Sequence, residues 1–254
     1  MTPGLGLAHT LKAGEEATKM PRKKATRGNC VYCDKEYTRW SMTRHLQTCA
    51  VRASTFETHA KRPGRAQEIC HLLVEDAWYS NYWLHLEISG RATLDELDEY
   101  LRVIWLDCCS HLSQFLINEI YYEREPEEEW SIGETKSTNA QIGSVLRPGT
   151  IAEYEYDLGT TTELKISAQT VRSGKWSGKP IRLMARNHPP ETRCMVCGQQ
   201  AEWICSECLW EGEDCFLCVH HLDKHEHDDE MTLPVVNSPR IGMCAYDGPA
   251  EPPY

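Results

Sequence analysis

The chain has 254 residues, enough for one ordinary domain with small modules, and this length excludes two large domains. No run of 18 apolar residues occurs and no apolar export segment follows the start, so we expect a cytoplasmic protein without a membrane span. The formal net charge of −11 is uneven: residues 1–65 carry 13 Lys/Arg against 5 Asp/Glu, and residues 66–254 carry 14 against 33.

The first 65 residues are the only part of the chain with a positive balance, net +8. Residues 1–29 lack an apolar period, which predicts a disordered basic tail in which Met20 is an alternative start. Because phosphates attract such a segment, we expect any contact with DNA or RNA to fall within residues 1–65. The basic residues predicted to make it are Arg22, Lys23, Lys24, Arg27, Arg39 and Arg44.

Residues 30–50 have the ligand spacing of a small zinc finger. Cys30 and Cys33 are two residues apart, whereas His45 and Cys49 are four apart, which places both on one face of a helix. The spacing resembles the Cys-Cys-His-Cys variant of the zinc-finger family, with one residue fewer in the middle. Such a unit either has a structural or protein-binding role or contacts nucleic acid. The polar residues 51–65 predict a linker.

Residues 66–190 predict an α+β core. Thr93 to Glu96 form a capping box, and the apolar spacing behind it predicts one main helix to about Leu106. Alternating segments predict the strands of an antiparallel sheet at 82–88, 151–157, 163–171 and 181–185. The runs 115–117 and 120–122 together predict one more strand. The predicted fold is therefore an antiparallel sheet with one main helix, flanked by two small zinc-binding modules.

The C-terminal module, 191–254, contains three Cys-x-x-Cys pairs followed by several histidines. In a reducing compartment such pairs indicate metal binding more readily than disulfides. One ion is predicted to bind Cys194, Cys197, Cys215 and Cys218, and the other Cys205, Cys208, His225 and His227, with His221 in reserve. This interleaved order resembles B-box-like protein-interaction modules, although a sequential pairing or a single zinc stays open. With the finger, the chain would hold two or three zinc ions.

Two further sets of residues carry possible chemistry. Asp107, His111, Asp157 and Glu163 could converge as a metal or acid/base cluster of a hydrolase, although a packing or turn role is the simpler interpretation. Four cysteines fall outside the predicted sites, and we interpret them as small buried side chains: Cys70, Cys108, Cys109 and Cys244.

The core resembles the plasmid pRiA4b open-reading-frame-three-like family. The resemblance rests on Trp83 to Glu87, Ala92 to Leu106, Cys108 to Ser113 with Phe115, and Tyr154 to Gly159. Some members carry a zinc-binding tail that closes with a segment similar to Leu233 to Arg240 here, followed by Gly242, Cys244 and Tyr246, and His227 stands where such tails usually place Cys. The resemblance implies an α+β fold and an association with plasmids and transposable elements, and it implies no catalytic residue.

At the turn after Tyr156, the better-known members carry Asp and Trp, with His soon after. This chain has Leu158, Thr160, Thr162 and Leu164 in those places, which argues against an active site there.

Three hypotheses for function follow from the sequence. The first is a non-enzymatic regulatory or adaptor protein that contacts nucleic acid through residues 1–65 and a protein partner through its acidic core and zinc tail. The second is a metal-dependent nuclease or hydrolase centred on Asp107 and His111. The third is a purely protein-interaction module.

Overall fold

The computed structural model of the chain describes residues 25–61, 64–78, 81–126 and 134–254. Most of the predicted basic tail, including Arg22, Lys23 and Lys24, lies outside the described residues. Over the described residues the fold is mixed α and β and mostly sheet.

One large sheet organises the chain. Its order is β2-β1-β10-β4-β3-β9-β8-β5-β6-β7, and all neighbours are antiparallel except β6 and β7, which run parallel. The strands are β1 Arg27–Cys30, β2 Glu36–Thr38, β3 Gln67–Asp76, β4 Trp83–Ser89, β5 Ser113–Ile117, β6 Ile120–Glu123, β7 Glu134–Ser137, β8 Ile151–Tyr156, β9 Thr162–Gly174 and β10 Ile181–Asn187.

The strand predictions for the core lack β7, and they differ from the structure in two further places. The stretch expected to be one strand forms a hairpin of β5 and β6, because Asn118 and Glu119 both adopt positive φ, 50° and 66°, as a tight two-residue turn requires. The predictions also lacked β3, which pairs with β4 and β9 at the centre of the sheet. This strand is buried on both faces, and Leu73 interrupts the alternation of apolar and polar residues along its sequence.

The main helix, α3 (Leu94–Leu101), begins at the predicted capping box. The Thr93 hydroxyl accepts the Glu96 amide at 3.1 Å, and the Glu96 carboxylate accepts the Thr93 amide at 2.9 Å. A π-helical turn, Arg102–Leu106, extends the helix to the predicted end. Leu94, Leu97 and Leu101 are fully buried in the principal core, against the apolar face of the sheet.

The opposite face of β3 and β4 carries polar side chains and is covered by the finger. Residues 30–49 include helix α1 (Arg39–Thr48), whose Met42 and Leu46 share a core with Leu73, Trp83 and Met184 of the large sheet. The hairpin of β1 and β2 joins the same sheet through β10. A Cβ at Gly28 would collide with the carbonyl of Arg186, so the close approach of β1 to β10 requires glycine.

The predicted linker 51–65 contains helix α2 (Ala50–Ala60), which also packs on this polar face. Arg52 donates to the buried Glu87 carboxylate at 2.8 Å, and the guanidinium of Arg172 lies 3.6 Å from the Phe56 ring centroid. Helix α2 contacts the sheet mainly through the side chains of Arg52 and Phe56. It therefore lacks the apolar periodicity on which the prediction depended.

The C-terminal module has a small three-stranded sheet of its own, in the order β12-β11-β13. Its short elements are β11 Trp203–Cys205, α5 Ser206–Glu211, β12 Phe216–Leu217, α6 Val219–Leu222, a 3-10 turn Asp229–Met231 and β13 Thr232–Pro234. The remaining short helix, α4 (Ile142–Val145), belongs to the core and not to the module. Within the described ranges, no helix combines the length and apolar character needed to cross a membrane.

Candidate metal centres

The first cluster consists of Cys30, Cys33, His45 and Cys49, the set that the spacing predicts, and the structure brings their four ligand atoms within 4.8 Å of one another. Cys30 ends β1, and the Asp34 amide donates to its carbonyl at 2.8 Å to close the turn that carries Cys33. His45 lies in the last turn of α1 and Cys49 directly follows that helix. The Tyr37 ring stacks on the His45 imidazole with centroids 4.2 Å apart, which fixes the orientation of the ring.

The second cluster consists of Cys194, Cys197, Cys218 and His221. The Gly198 amide donates to the Cys194 carbonyl at 2.8 Å, and Gly198 has a φ of 70°, so the turn bearing the first two thiols depends on glycine. Cys218 is the N-cap residue of α6, and His221 lies one turn later, with its Nδ1 atom 3.2 Å from the Cys218 sulfur.

The third cluster consists of Cys205, Cys208, His225 and His227. Cys205 ends β11 and caps α5, where its sulfur accepts the Cys208 amide at 3.5 Å. Both histidines follow α6, and each places a ring nitrogen 3.3 Å from the Cys208 sulfur. The second and third clusters therefore share the interleaved ligand order that the sequence predicts.

The sequence predicts Cys215 as a ligand in the second cluster, but Cys215 is not a member of that cluster. His221 is its fourth member instead. Cys215 and Leu217 lie two residues apart and are both buried in the small core of the module. Burial also raises the pKa of the Cys215 thiol to about 11. Cys218 and His221 repeat the same two-residue gap as the cysteine pairs, which is the signal that could have identified His221.

The donor spacing fits a tetrahedral metal. Zinc bonds of about 2.3 Å to sulfur and 2.0–2.1 Å to nitrogen give edges of roughly 3.8 Å between sulfurs and 3.6 Å between sulfur and nitrogen. The Cys197 and Cys218 sulfurs are 3.7 Å apart, and the Cys33 sulfur is 3.2 Å from the His45 Nε2 atom. All 13 cysteines lie in the described part of the chain as free thiols.

The thiols of the first and second clusters differ in acidity. Although burial opposes the effect, the backbone amides of Cys197, Cys218 and Val196 lower the pKa of Cys194 to about 6. In the first cluster, burial raises the pKa of Cys30 to about 11. A positive ion at each centre would favour ionisation of the more basic thiols, so metal binding would release protons.

A fourth cluster joins residues that sequence reasoning left apart. Cys108, Cys109, His111 and Cys244 place their ligand atoms within 4.8 Å of one another, with His111 Nε2 3.2 Å from the Cys244 sulfur. Cys70, by contrast, is a fully buried core residue, as expected. The local pattern Cys-Cys-x-His was visible in the sequence, but its fourth member is 133 residues away from His111.

The predicted acid/base residues occupy two different places. Asp107 and His111 line an open groove of about 840 Å³, whereas Glu163 lines a separate groove of about 430 Å³. Asp157 lies 3.6 Å from His111 Nε2, but its carboxylate accepts Arg240 at 2.5 Å and two backbone amides. These bonds explain why the pKa of Asp157 lies below its usual value despite the opposing effect of burial. Asp157 thus orders the turn after β8.

The basic residues of the finger have different environments. Arg39 forms an ion pair with Glu75 at the finger–sheet contact, and only 17% of its side chain is exposed. Arg27 lies at the surface and pairs with Glu36 at 2.6 Å. Arg44 is exposed on α1. Among the predicted phosphate contacts that the structure describes, Arg39 is therefore the one whose ion pair is largely buried.

The comparisons with known proteins concern the core. A family model described as plasmid pRiA4b ORF-3-like protein matches residues 75–201, half of the chain. No curated protein matches the chain. The crystal structure of a protein of unknown function from Methanosarcina mazei Go1 matches 47% of this chain and 67% of that chain, with 14% identity and a TM-score of 0.40. The family match ends before Cys205 and does not include the first cluster.

Proposed function

The chain belongs to the plasmid pRiA4b ORF-3-like family, and we propose that it is a zinc-binding, non-enzymatic regulatory or adaptor protein linked to plasmid or transposable elements. The observation that carries this proposal is the composition of the first three clusters. Each provides four Cys or His donors, a complete tetrahedral set. A catalytic zinc typically keeps one position open for water, so complete sets favour ions that hold structure.

Zinc is the metal that this donor chemistry favours. Thiolate and imidazole donors in tetrahedral arrangement suit zinc, which has no redox chemistry of its own. The second and third clusters lie where apolar burial is limited: among the described residues, the module core contains two fully buried aliphatic residues, Ile204 and Leu217, beside its cysteines. Bound zinc would supply the stability that so small a core lacks.

Metal analysis of the purified protein tests this part of the proposal. We expect zinc, with at least one ion fewer per chain in each of Cys33→Ser and Cys208→Ser, measured by native mass spectrometry and elemental analysis. Cys70→Ser removes a buried thiol outside every cluster and should keep the wild-type metal content. A folded, metal-free wild-type protein would contradict the proposal, and so would divalent-ion-dependent nuclease turnover that is lost in His111→Ala.

We further propose that nucleic acid binds through the basic N-terminal segment, and a protein partner through the acidic core and module. The net +8 charge of residues 1–65 and the exposed Arg44 support the first contact. The ion pair of Arg39 with Glu75 favours leaving Arg39 out of the binding surface. Binding is then carried by Arg22, Lys23, Lys24, Arg27 and Arg44.

Salt-dependent DNA binding, followed by fluorescence anisotropy, tests this assignment. Each phosphate contact contributes about 0.9 to the slope of log K against log salt, so R22Q/K23Q/K24Q should lower that slope by up to about 2.7. The matched control K136Q/K165Q/K224Q removes the same charge from the rest of the surface and should leave the slope unchanged. Equal losses in both variants would mean that only net charge matters.

A further inference from the structure

We propose that the fourth cluster, Cys108, Cys109, His111 and Cys244, binds an additional zinc ion that fastens the C-terminal tail to the core. Two parts of the chain supply the ligands. Cys108, Cys109 and His111 lie in the loop directly after the main helix, and Cys244 lies in the C-terminal tail, which is the part of the module that follows β13. This site is separate from the three clusters on which the proposed function rests.

The donor geometry repeats that of the other clusters. His111 Nε2 lies 3.2 Å from the Cys244 sulfur, the same separation as between His45 Nε2 and the Cys33 sulfur and between His221 Nδ1 and the Cys218 sulfur. Three thiols and one imidazole form a complete structural zinc set. The geometry points to a closed site at the edge of the groove that Asp107 lines.

Both halves of the site are held in place by contacts outside it. The His111 amide donates to the Tyr156 hydroxyl at 3.3 Å, and the Ser110 amide donates to Asp107 Oδ1 at 3.1 Å. On the tail, the Ser238 hydroxyl donates to the Trp105 carbonyl at 2.5 Å. The ligand atoms therefore meet without requiring the metal to assemble them, which reduces the entropy cost of binding.

Arg240 places a charged hydrogen-bond donor next to this thiolate-rich site, and the Asp157 carboxylate balances part of its charge. Zinc with three thiolates and a neutral imidazole has a net charge of −1. The Arg240 guanidinium is fully buried, and it donates to the Cys108 sulfur at 3.6 Å and to Asp157 at 2.5 Å. A charged hydrogen-bond donor next to a ligand thiolate stabilises its ionised form.

Native mass spectrometry of the full-length protein under reducing conditions tests the proposal. We expect Cys244→Ser and Cys109→Ser each to bind one zinc fewer than the wild type, while Cys70→Ser binds the same number. Cys109 is exposed, so its replacement should preserve the fold, which far-UV circular dichroism checks. In Cys244→Ser, the amides of 241–246 should exchange with deuterium at least tenfold faster than in the wild type.

Two results would overturn the proposal. One is an unchanged zinc count in both variants while Cys33→Ser still loses its ion, which would leave the proposed function intact. The other is a disulfide among Cys108, Cys109 and Cys244 in protein purified with its zinc bound, since oxidised sulfurs cannot serve as ligands.

Discussion

The finger and the C-terminal module use the same ligands in different structural settings. The finger places Met42 and Leu46 in a core shared with Trp83 of the large sheet, and its hairpin extends that sheet through β10. The module forms its own three-stranded sheet around Ile204 and Leu217. The comparison indicates that Cys/His clusters reinforce an existing core at one end of the chain and replace a core at the other.

The largest expected effect is the loss of the module on removal of a ligand. Structural zinc contributes an apparent binding free energy of about 10–16 kcal/mol in small zinc peptides, and this energy is folding energy. Cys208→Ser should therefore unfold β11 and β12, whereas Cys33→Ser should leave β1 paired with β10. Hydrogen exchange measured by mass spectrometry distinguishes the two outcomes, and equal protection of both regions would break the comparison.

Cys215→Ala and His221→Ala sharpen this test within the module. Cys215 is a core side chain and His221 a member of the second cluster. We expect the alanine at 215 to keep the metal content and the alanine at 221 to reduce it. The opposite result would show that Cys215 is a metal ligand and that His221 is not.

The next largest effect concerns the polar contact between helix α2 and the large sheet. Glu87 is 1% exposed and accepts Arg52 and Arg172 at 2.8 and 2.9 Å. Removing one partner of a buried ion pair leaves uncompensated charge, so Glu87→Ala should lower the free energy of unfolding by about 3–5 kcal/mol. Urea unfolding followed by circular dichroism measures it. Glu153→Ala, at an exposed position on β8, should cost less than about 0.5 kcal/mol.

The histidine pair beneath the finger predicts a pH dependence. The Nε2 atom of His71 lies 2.9 Å from the Nδ1 atom of His85, and burial lowers the pKa of His71 to about 2 and that of His85 to about 3. Between about pH 3 and 6.5 the unfolded chain therefore binds protons that the folded chain does not, so stability falls as the pH falls below about 6.5. Each histidine contributes about 1.4 kcal/mol per pH unit there.

The double variant H71Q/H85Q isolates this contribution. Its free energy of unfolding should depend on pH less steeply than that of the wild type, by about 2.7 kcal/mol per unit below pH 6. Protonation of the metal ligands affects both proteins and cancels in the difference. Parallel slopes would show that the pair is not neutral in the folded protein.

The smallest expected effect concerns a residue outside every cluster. Thr93→Ala removes the side-chain half of the capping box of α3 and should lower the free energy of unfolding by about 1 kcal/mol. Urea unfolding measures the change, and metal content should stay at the wild-type value. A loss of metal in this variant would mean that the main helix supports a metal site.

Local patterns predicted the parts of the structure that local chemistry determines. The capping box of Thr93 and Glu96 and the interleaved ligand order both follow from short spacings. Long-range pairing was not predictable in this way: the alternation in β3 is interrupted at Leu73, and Cys244 reaches His111 only because the tail folds back over the core. Arg39 looked suited to phosphate contact because the sequence does not reveal its partner, Glu75.

The alternating order of ligands in the module has a consequence for how it folds. The loop from Cys194 to His221 contains Cys205 and Cys208, and the loop from Cys205 to His227 contains Cys218 and His221. The chain segment that closes each site therefore contains ligands of the other site. Loading should therefore be cooperative, with little singly loaded species, and a nascent chain could not finish the module until His227 has left the ribosome.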